Sequence, residues 1–196
     1  MSSTGIDKVL ILNNGGKASQ VVEEFIRKSL KHPHEIIWSD LKEKGRGLAR
    51  KGDFGLLIVD AKLTSPEAYA ACKIATAHPT SCLLFLAEET EADTEEEKKA
   101  KELILDLGAA VLHRPLKQSA FAAAINSADM AHIRLCALRK KLDDEKIVSR
   151  SKLLLIQNLG LSEEEAHKFI EKKAMNSGRT RVDIAFEIVR TYENKS

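Results

Sequence analysis

The sequence predicts an α/β fold: a five-stranded parallel, doubly wound sheet, followed by a long helix and a helical tail. Three observations predict it. Between residue 8 and about residue 130, short apolar runs alternate with longer segments of helical periodicity, which is typical of β/α units. From 117 to 158 the chain contains neither proline nor glycine. Beyond a break at Gly160, two more amphipathic segments follow.

Five short apolar runs are the predicted strands. The third is almost continuously apolar, as expected for a central strand that is covered on both faces. The second is the weakest, because only Ile36, Ile37 and Trp38 carry it. The five runs span 8–13, 34–38, 54–60, 81–87 and 109–113.

The segments between these runs predict helices. The first stops at Pro33 and places on one face Val21, Val22, Phe25, Ile26 and Leu30. The second, within 41–52, is less regular. The third has an N-cap serine followed by a proline at its first position, in Ser65-Pro66. The fourth begins with acidic residues and ends at 108 with a glycine, which is typical of a helix C-terminus.

Composition excludes several classes of protein. The 196 residues are 43% hydrophobic and 31% charged, which is typical of a folded domain. The longest uncharged stretch, 74–87, has 14 residues and is broken by a proline, so we expect no membrane span. The N-terminus does not resemble a signal peptide. We therefore expect a cytoplasmic protein.

No metal or catalytic motif stands out. Cys72, Cys82 and Cys136 lack the spacing of a disulfide frame or zinc site and predict reduced thiols. His32 and His34 flank a proline and have no third ligand nearby. A glycine-containing loop at 13–17 could cradle a phosphate, but it lacks the known phosphate-loop spacings. We expect neither an enzyme nor a bound cofactor or metal.

The predicted long helix carries an apolar seam. Its small and leucine side chains recur at alternating three- and four-residue spacing, as in a coiled coil. The first two turns, with Phe121 and Ala124, are expected to pack on the chain's own sheet. Beyond them we expect the seam to form a homodimer. The seam consists of Ala128, Ala131, Leu135, Leu138 and Leu142.

The last 50 residues resemble the ANTAR domain, the three-helix RNA-binding module of bacterial antitermination regulators. The residues that carry the resemblance are Lys152, the Gly-Leu-Ser-Glu-x-Glu-Ala turn at 160–166, Ala174-Met175, Arg179 and the Asp-Ile-Ala run at 183–185. The resemblance implies a dimer that binds paired hairpin loops in a leader transcript and prevents a terminator stem from forming. Arg181 departs from the family, because an apolar residue usually packs at this position.

Five cations are the candidate RNA contacts. Lys152 and Arg179 match the ANTAR pattern, whereas Arg150, Lys173 and Arg181 are chosen for charge and proximity. The charge distribution agrees, since the chain carries a net +4 from Arg134 onward and +2 overall. Aromatic residues are few there, and Phe169 and Phe186 have spacings that suit a core. We therefore expect basic side chains and backbone groups to carry recognition.

Residues 6–128 resemble a response-regulator receiver, which takes a phosphoryl group on an aspartate that ends its third strand. Asp60 stands at that position. The rest of the pocket is degenerate. Asn13 and Asn14 replace the acidic pair that would hold Mg²⁺, Ala87 replaces the hydroxyl residue, and Arg114 replaces the lysine. We expect a pseudo-receiver in which Asp60 pairs with Arg114 and is not phosphorylated.

Three alternatives remain open at this point. Asp60 could still accept phosphate with a weakly held Mg²⁺, which would make the chain a phosphorylation-controlled response regulator. The chain could instead bind a small molecule at the carboxyl edge of a flavodoxin-like sheet. Its tail could also act only as a protein adaptor. If residues 6–128 are a pseudo-receiver, we expect a sensor protein or a ligand to act on them.

The predicted domains are 1–128 (receiver-like), 129–146 (coiled-coil linker) and 147–196 (ANTAR).

Overall fold

The computed structural model describes residues 5–15, 19–31, 34–79, 81–88 and 94–193. It divides into two compact units, Met1–Cys136 and Ala137–Ser196. His32 and the end of the 13–17 loop lie outside the described residues. The elements, in chain order, are β1 (Lys8–Asn13), α1 (Gln20–Ser29), β2 (Glu35–Asp40), α2 (Glu43–Lys51), β3 (Leu56–Ala61), α3 (Pro66–Ala75), β4 (Cys82–Ala87), α4 (Glu95–Asp106), β5 (Ala110–His113), α5 (Gln118–Leu159), α6 (Glu163–Ser177) and α7 (Arg181–Glu193).

The first unit contains a five-stranded sheet in the order β2-β1-β3-β4-β5. Every neighbouring pair is parallel. β3 lies at the centre, and its residues Leu56 to Val59 are all 0% exposed. This confirms the predicted fold class. The continuous apolar run of β3 reflects its burial on both faces.

Each face of the sheet has its own core, because side chains alternate along a strand. On one face Leu57, Val59 and Phe85 pack with residues of α2, α3 and α4. On the other face Ile58 and Leu84 pack with residues of α1 and of the start of α5. The sheet is therefore doubly wound, as the sequence predicts.

The second strand is longer than the sequence indicates. β2 continues past Trp38 through Ser39 and Asp40, which are partners of Leu12 and Asn13 in the register. Serine and aspartate have low strand propensity, so the apolar pattern ends before the strand does. Pairing with β1 supplies the hydrogen bonds that extend it. As a result, Asn13 and Asp40 lie side by side at the carboxyl edge of the sheet.

Helix α2 approaches the sheet closely at one glycine. A Cβ placed on Gly45 would lie 1.8 Å from the backbone oxygen of Asp40 and 2.7 Å from Leu12 Cδ2. A Cβ on Gly47, in the same helix, would meet nothing within 4 Å. Gly45 therefore permits the packing of α2, whereas Gly47 is not required by it.

Helix α5 is continuous over 42 residues. The absence of proline and glycine explains this, because both residues are unfavourable inside helices. Phe121 and Ile125, near its start, are fully buried against the sheet. The unbroken helix and the packing of its first turns are confirmed. No helix in the described part of the chain is long and apolar enough to cross a membrane.

The second unit is built from the end of α5 together with α6 and α7. Leu155, Ile170 and Ile184, one from each helix, lie in a common core and are at most 1% exposed. Ser162 and Glu165 form a capping box at the start of α6, and Gly178 ends it with a φ of 63°. Three helices with these turns confirm the predicted tail.

Candidate functional site

The carboxyl edge of the sheet holds a small polar pocket around Asp60. This residue lies in β3, between Asn13 of β1 and Leu86 of β4 in the register. Its side chain is only 12% exposed. Arg114, which follows β5, donates from Nη2 to Asp60 Oδ2 at 2.7 Å. The carboxylate is thus neutralised by a side chain of the same unit.

The other residues of the pocket are engaged within the protein. Asn13 Oδ1 accepts a hydrogen bond from the backbone N–H of Gly15 at 3.2 Å. Asn14 Nδ2 donates to Glu88 Oε1 at 3.4 Å. Ala87 is fully buried and offers no hydroxyl. The two asparagines thus bond to other groups of the loops, and Arg114 bonds to Asp60.

The pocket does not fit Mg²⁺. This ion needs several hard oxygen ligands, usually including more than one carboxylate or phosphate. Here Asp60 is the carboxylate at the centre, and a guanidinium already occupies it. Among the described residues there is no group of three His, Cys, Asp or Glu side chains that could hold a metal.

The five candidate RNA contacts are all ion-paired within the second unit. Lys152 Nζ lies 2.7 Å from Glu163 Oε1, and Arg181 Nη1 lies 3.3 Å from Glu171 Oε1. Arg150 pairs with Glu193. These pairs link α5, α6 and α7 to one another. Four of the five cationic side chains are exposed and accessible to a competing anion, whereas that of Lys152 is 21% exposed.

Lys173 and Arg179 share one carboxylate. Lys173 Nζ lies 2.6 Å from Glu187 Oε1, and Arg179 Nη1 lies 2.6 Å from Glu187 Oε2. Hydrogen bonds from Lys173 and then from Arg179 lower the pKa of the Glu187 carboxyl. A single anion therefore bridges two cations from different parts of the unit. Two oxygens of one phosphate group can accept hydrogen bonds from two cations in the same way as the two carboxylate oxygens of Glu187.

The candidate contacts fall into separate groups. Lys152 and Arg181 line one hollow of about 450 Å³, together with His167. Lys173 and Arg179 meet at Glu187, while Arg150 lies at Glu193. Arg181 stands at a position that is apolar in the family, yet it is exposed and pairs with Glu171, so no charge is buried.

Two aromatic residues are not where the sequence places them. Phe169 is 41% exposed and Phe186 is 55% exposed, so the prediction that they belong to the core is wrong. The core of α6 is filled by Ala166, Ile170 and Ala174 instead. Both phenylalanines fit the helical period of the apolar stripe. A residue at the margin of such a stripe can be either buried or exposed. Periodicity alone gives no signal that separates them.

The apolar seam of α5 is progressively exposed. Ala128 packs partly against the sheet, and with Ala131 and Leu135 it lines a groove of about 620 Å³ in the first unit. Leu135 is 36% exposed, Leu138 57% and Leu142 54%. Within a single chain, these leucines are left in contact with water.

Two of the three cysteines, Cys72 and Cys82, have thiols that are largely buried. Burial raises the pKa of the Cys72 thiol to about 12 and that of the Cys82 thiol to about 11. Cys82 Sγ donates to the backbone oxygen of Ala128 at 3.2 Å. Both thiols are therefore protonated at neutral pH, and thiols react as thiolates.

The sequence of the second unit matches a known domain family. Residues 137–189 match the ANTAR domain. This part of the chain is an ANTAR domain. The match extends from the second half of α5 into α7, and it confirms the resemblance carried by the turn at 160–166. No curated protein matches the chain significantly over its sequence.

Solved structures resemble the chain at low sequence identity. The superposition on the response regulator StyR covers 95% of this chain and 100% of the StyR chain, with 13% identity and a TM-score of 0.51. A pilus assembly-related protein from Burkholderia pseudomallei K96243 covers 67% and 95%, with 15% identity and a TM-score of 0.47. The cpaE protein from Burkholderia thailandensis E264 covers 62% and 97%, with 15% identity and a TM-score of 0.44. The likeness to StyR shows a shared fold: a five-stranded parallel α/β unit followed by helices.

Proposed function

We propose that this chain is an RNA-binding transcription antitermination regulator of the response-regulator type. The observation that carries the proposal is the ANTAR domain at 137–189, whose three helices display basic side chains at accessible positions. The protein binds hairpin loops in a leader transcript and thereby keeps a terminator stem from forming. Such a regulator is not an enzyme, and it acts where transcripts are made, in the cytoplasm.

When RNA binds, its phosphates replace carboxylates as the partners of the basic side chains. Lys152, Arg179, Arg150, Lys173 and Arg181 are each held by a carboxylate in the free protein. RNA phosphates replace these carboxylates as partners of the same cations. The pairs also hold the side chains extended before RNA arrives, which lowers the entropy lost on binding.

The protein works as a homodimer through the seam of Ala128, Ala131, Leu135, Leu138 and Leu142. The exposure of the three leucines supports this proposal, because burying each contributes about 1.5–3 kcal/mol. In this arrangement residues 1–128 form the receiver-like domain, 129–146 the linker helix and 147–196 the RNA-binding domain. Two copies present two RNA surfaces, which suits a transcript with two hairpins.

The receiver-like unit works without phosphorylation. The ion pair between Asp60 and Arg114 supports this, since a guanidinium occupies the carboxylate that would accept the phosphoryl group. The input is then a protein or ligand that binds the receiver-like unit and shifts the monomer–dimer equilibrium.

The test is the affinity of the full chain for an RNA with two hairpins, compared with a scrambled RNA of equal length. We expect tighter binding to the hairpins and a linear fall of log affinity with log salt. Lys152→Ala combined with Arg179→Ala should weaken binding and flatten the slope. Equal affinity for both RNAs, or no binding at low salt, would contradict the proposal and favour a protein adaptor or a small-molecule binder.

A further inference from the structure

An exposed phenylalanine on α6 lies at one end of a polar strip of the helix surface. Phe169 is 41% exposed. It lines a shallow hollow of about 320 Å³ whose other walls are Lys172, Lys173, Asn176 and Ser177. These five residues recur at intervals of three or four along the helix, so they form one continuous strip on it. We call this strip the Phe169 patch.

Phe169 lies outside the core of the second unit. That core is made by Ala166, Ile170 and Ala174 of α6 with residues of α5 and α7. At 41% exposure, part of the surface of Phe169 remains open to solvent and is available to a ligand.

The chemistry of the Phe169 patch matches an unpaired nucleotide. An aromatic face stacks on a base, ammonium groups attract phosphates, and an amide can bond to a base edge. Lys172 and Asn176 are exposed, and Lys173 is held 2.6 Å from Glu187 beside Arg179. The patch is thus continuous with the pair of cations at Glu187.

A protein partner fits this surface less well. The cores of protein interfaces are depleted in lysine, because burying an ammonium without a partner is costly. Here two lysines flank the only aromatic ring of the patch. Single-stranded RNA uses the same combination favourably, since its phosphates accompany every base.

We propose that Phe169 stacks on an unpaired base of the bound RNA, with Lys172 and Lys173 on the flanking phosphates and Asn176 at the base edge. This inference rests on the proposed RNA-binding function and assigns the recognition of the loop to α6. The inference predicts that the aromatic contact of Phe169 distinguishes loops from paired RNA, while the basic side chains attract the phosphates of both.

The test uses the full chain and an RNA isolated by wild-type protein from a pool of two-hairpin RNAs with randomised loops. A version of that RNA with its loops replaced by paired stem is the comparison. Phe169→Ala should weaken binding to the looped RNA by about 5- to 150-fold, the range expected for one stacked base. Its salt slope should stay unchanged, because no phosphate contact is lost. Binding to the paired RNA should not change.

Three further variants separate stacking from other effects. Phe169→Tyr should restore the affinity, while Phe169→Leu, which keeps apolar volume without an aromatic face, should not. Lys172→Ala should weaken binding and flatten the salt slope. Leu153→Ala is the matched control, because Leu153 is 57% exposed in the same unit and does not line the hollow. It should bind as wild type does.

A direct contact can be detected by placing 5-iodouridine in the loop and irradiating the complex, with Phe169 expected as the crosslinked residue. If wild-type protein binds the looped RNA and Phe169→Ala binds it equally well, the inference is overturned while RNA binding stands, and the exposed ring belongs to a protein contact. If wild-type protein selects no RNA from the pool, the proposed function itself fails and the inference fails with it.

Discussion

Arg114 reaches across the end of β4 to bind Asp60 of β3, with 2.7 Å between Nη2 and Oδ2. Asp60 lies in β3 and Arg114 directly follows β5, and β4 lies between these two strands. Adjacent strands are about 4.8 Å apart, so the long side chain of arginine is needed to span the gap. Ala87, at the end of β4, is fully buried in the core on one face of the sheet. The ion pair therefore joins two residues whose elements are separated by β4.

The first prediction concerns phosphorylation of Asp60. Incubation of the protein with acetyl phosphate and Mg²⁺ should leave its intact mass unchanged, because the guanidinium occupies the carboxylate and the two asparagines add no negative charge to hold the metal. A gain of one phosphoryl group that disappears in Asp60→Asn would contradict this.

A repaired pocket provides the matching positive control. The combined variant Asn13→Asp, Asn14→Asp, Ala87→Thr and Arg114→Lys restores each feature that the receiver pattern requires. It should gain one phosphoryl group, and the gain should disappear when Asp60→Asn is added. Loss of the gain identifies Asp60 as the acceptor.

The second prediction concerns the stability contributed by the ion pair. Arg114→Met should destabilise the first unit by about 1–3 kcal/mol, because it leaves the largely buried Asp60 carboxylate without its charged partner. Adding Asp60→Asn should recover part of the loss. Urea unfolding of the four proteins gives the coupling energy of the pair. Strictly additive effects would show that the two side chains do not interact in solution.

The third prediction concerns the seam. Light scattering of the full chain should give twice the mass of 21.7 kDa, and Leu138→Glu combined with Leu142→Glu should give the monomer, because charged residues are not tolerated in an apolar seam. Leu153→Glu is the control, since Leu153 is equally exposed, at 57%, but is not part of the seam. It should remain dimeric. A wild-type mass of one chain at working concentration would rule out the seam.

The fourth prediction concerns Glu187. Glu187→Gln removes the carboxylate that holds both Lys173 and Arg179, so RNA affinity should rise and the salt slope should become steeper. Glu164→Gln is the matched control, because Glu164 pairs with Lys168 on the same helix, at 2.6 Å, and with none of the five candidate RNA contacts among the described residues. It should leave the salt slope nearer to that of wild type. A lower affinity for Glu187→Gln would mean that this carboxylate orients the cations for RNA and does not compete with it.

The fifth prediction compares two glycines of α2. Gly45→Ala should destabilise the first unit by about 1–3 kcal/mol, because its Cβ would overlap the backbone oxygen of Asp40. Gly47→Ala should stabilise it by about 0.5–1 kcal/mol, because alanine favours the helix and its Cβ meets nothing within 4 Å. Thermal unfolding measures both. A stable Gly45→Ala variant would show that α2 can move away from the sheet.

The sequence by itself determined the parts of this protein that depend on neighbouring residues. Strand runs, helical periods and capping residues act over a few positions, so they located the five strands, the long helix and the turns at 160–166. The position of Asp60 followed from the end of a strand, and its pairing with Arg114 followed from two strands that end at the same edge of a sheet.

Tertiary structure decided the contacts between residues that are distant in sequence. Glu187 bridges Lys173 and Arg179, and Glu193 pairs with Arg150, 43 positions away. Charge composition indicates that such pairs form, but not which carboxylate each cation meets. The exposure of Phe169 was likewise decided by packing. A residue at the margin of an apolar stripe becomes core or surface according to the angle at which the next helix crosses, and that angle is set by all the contacts together.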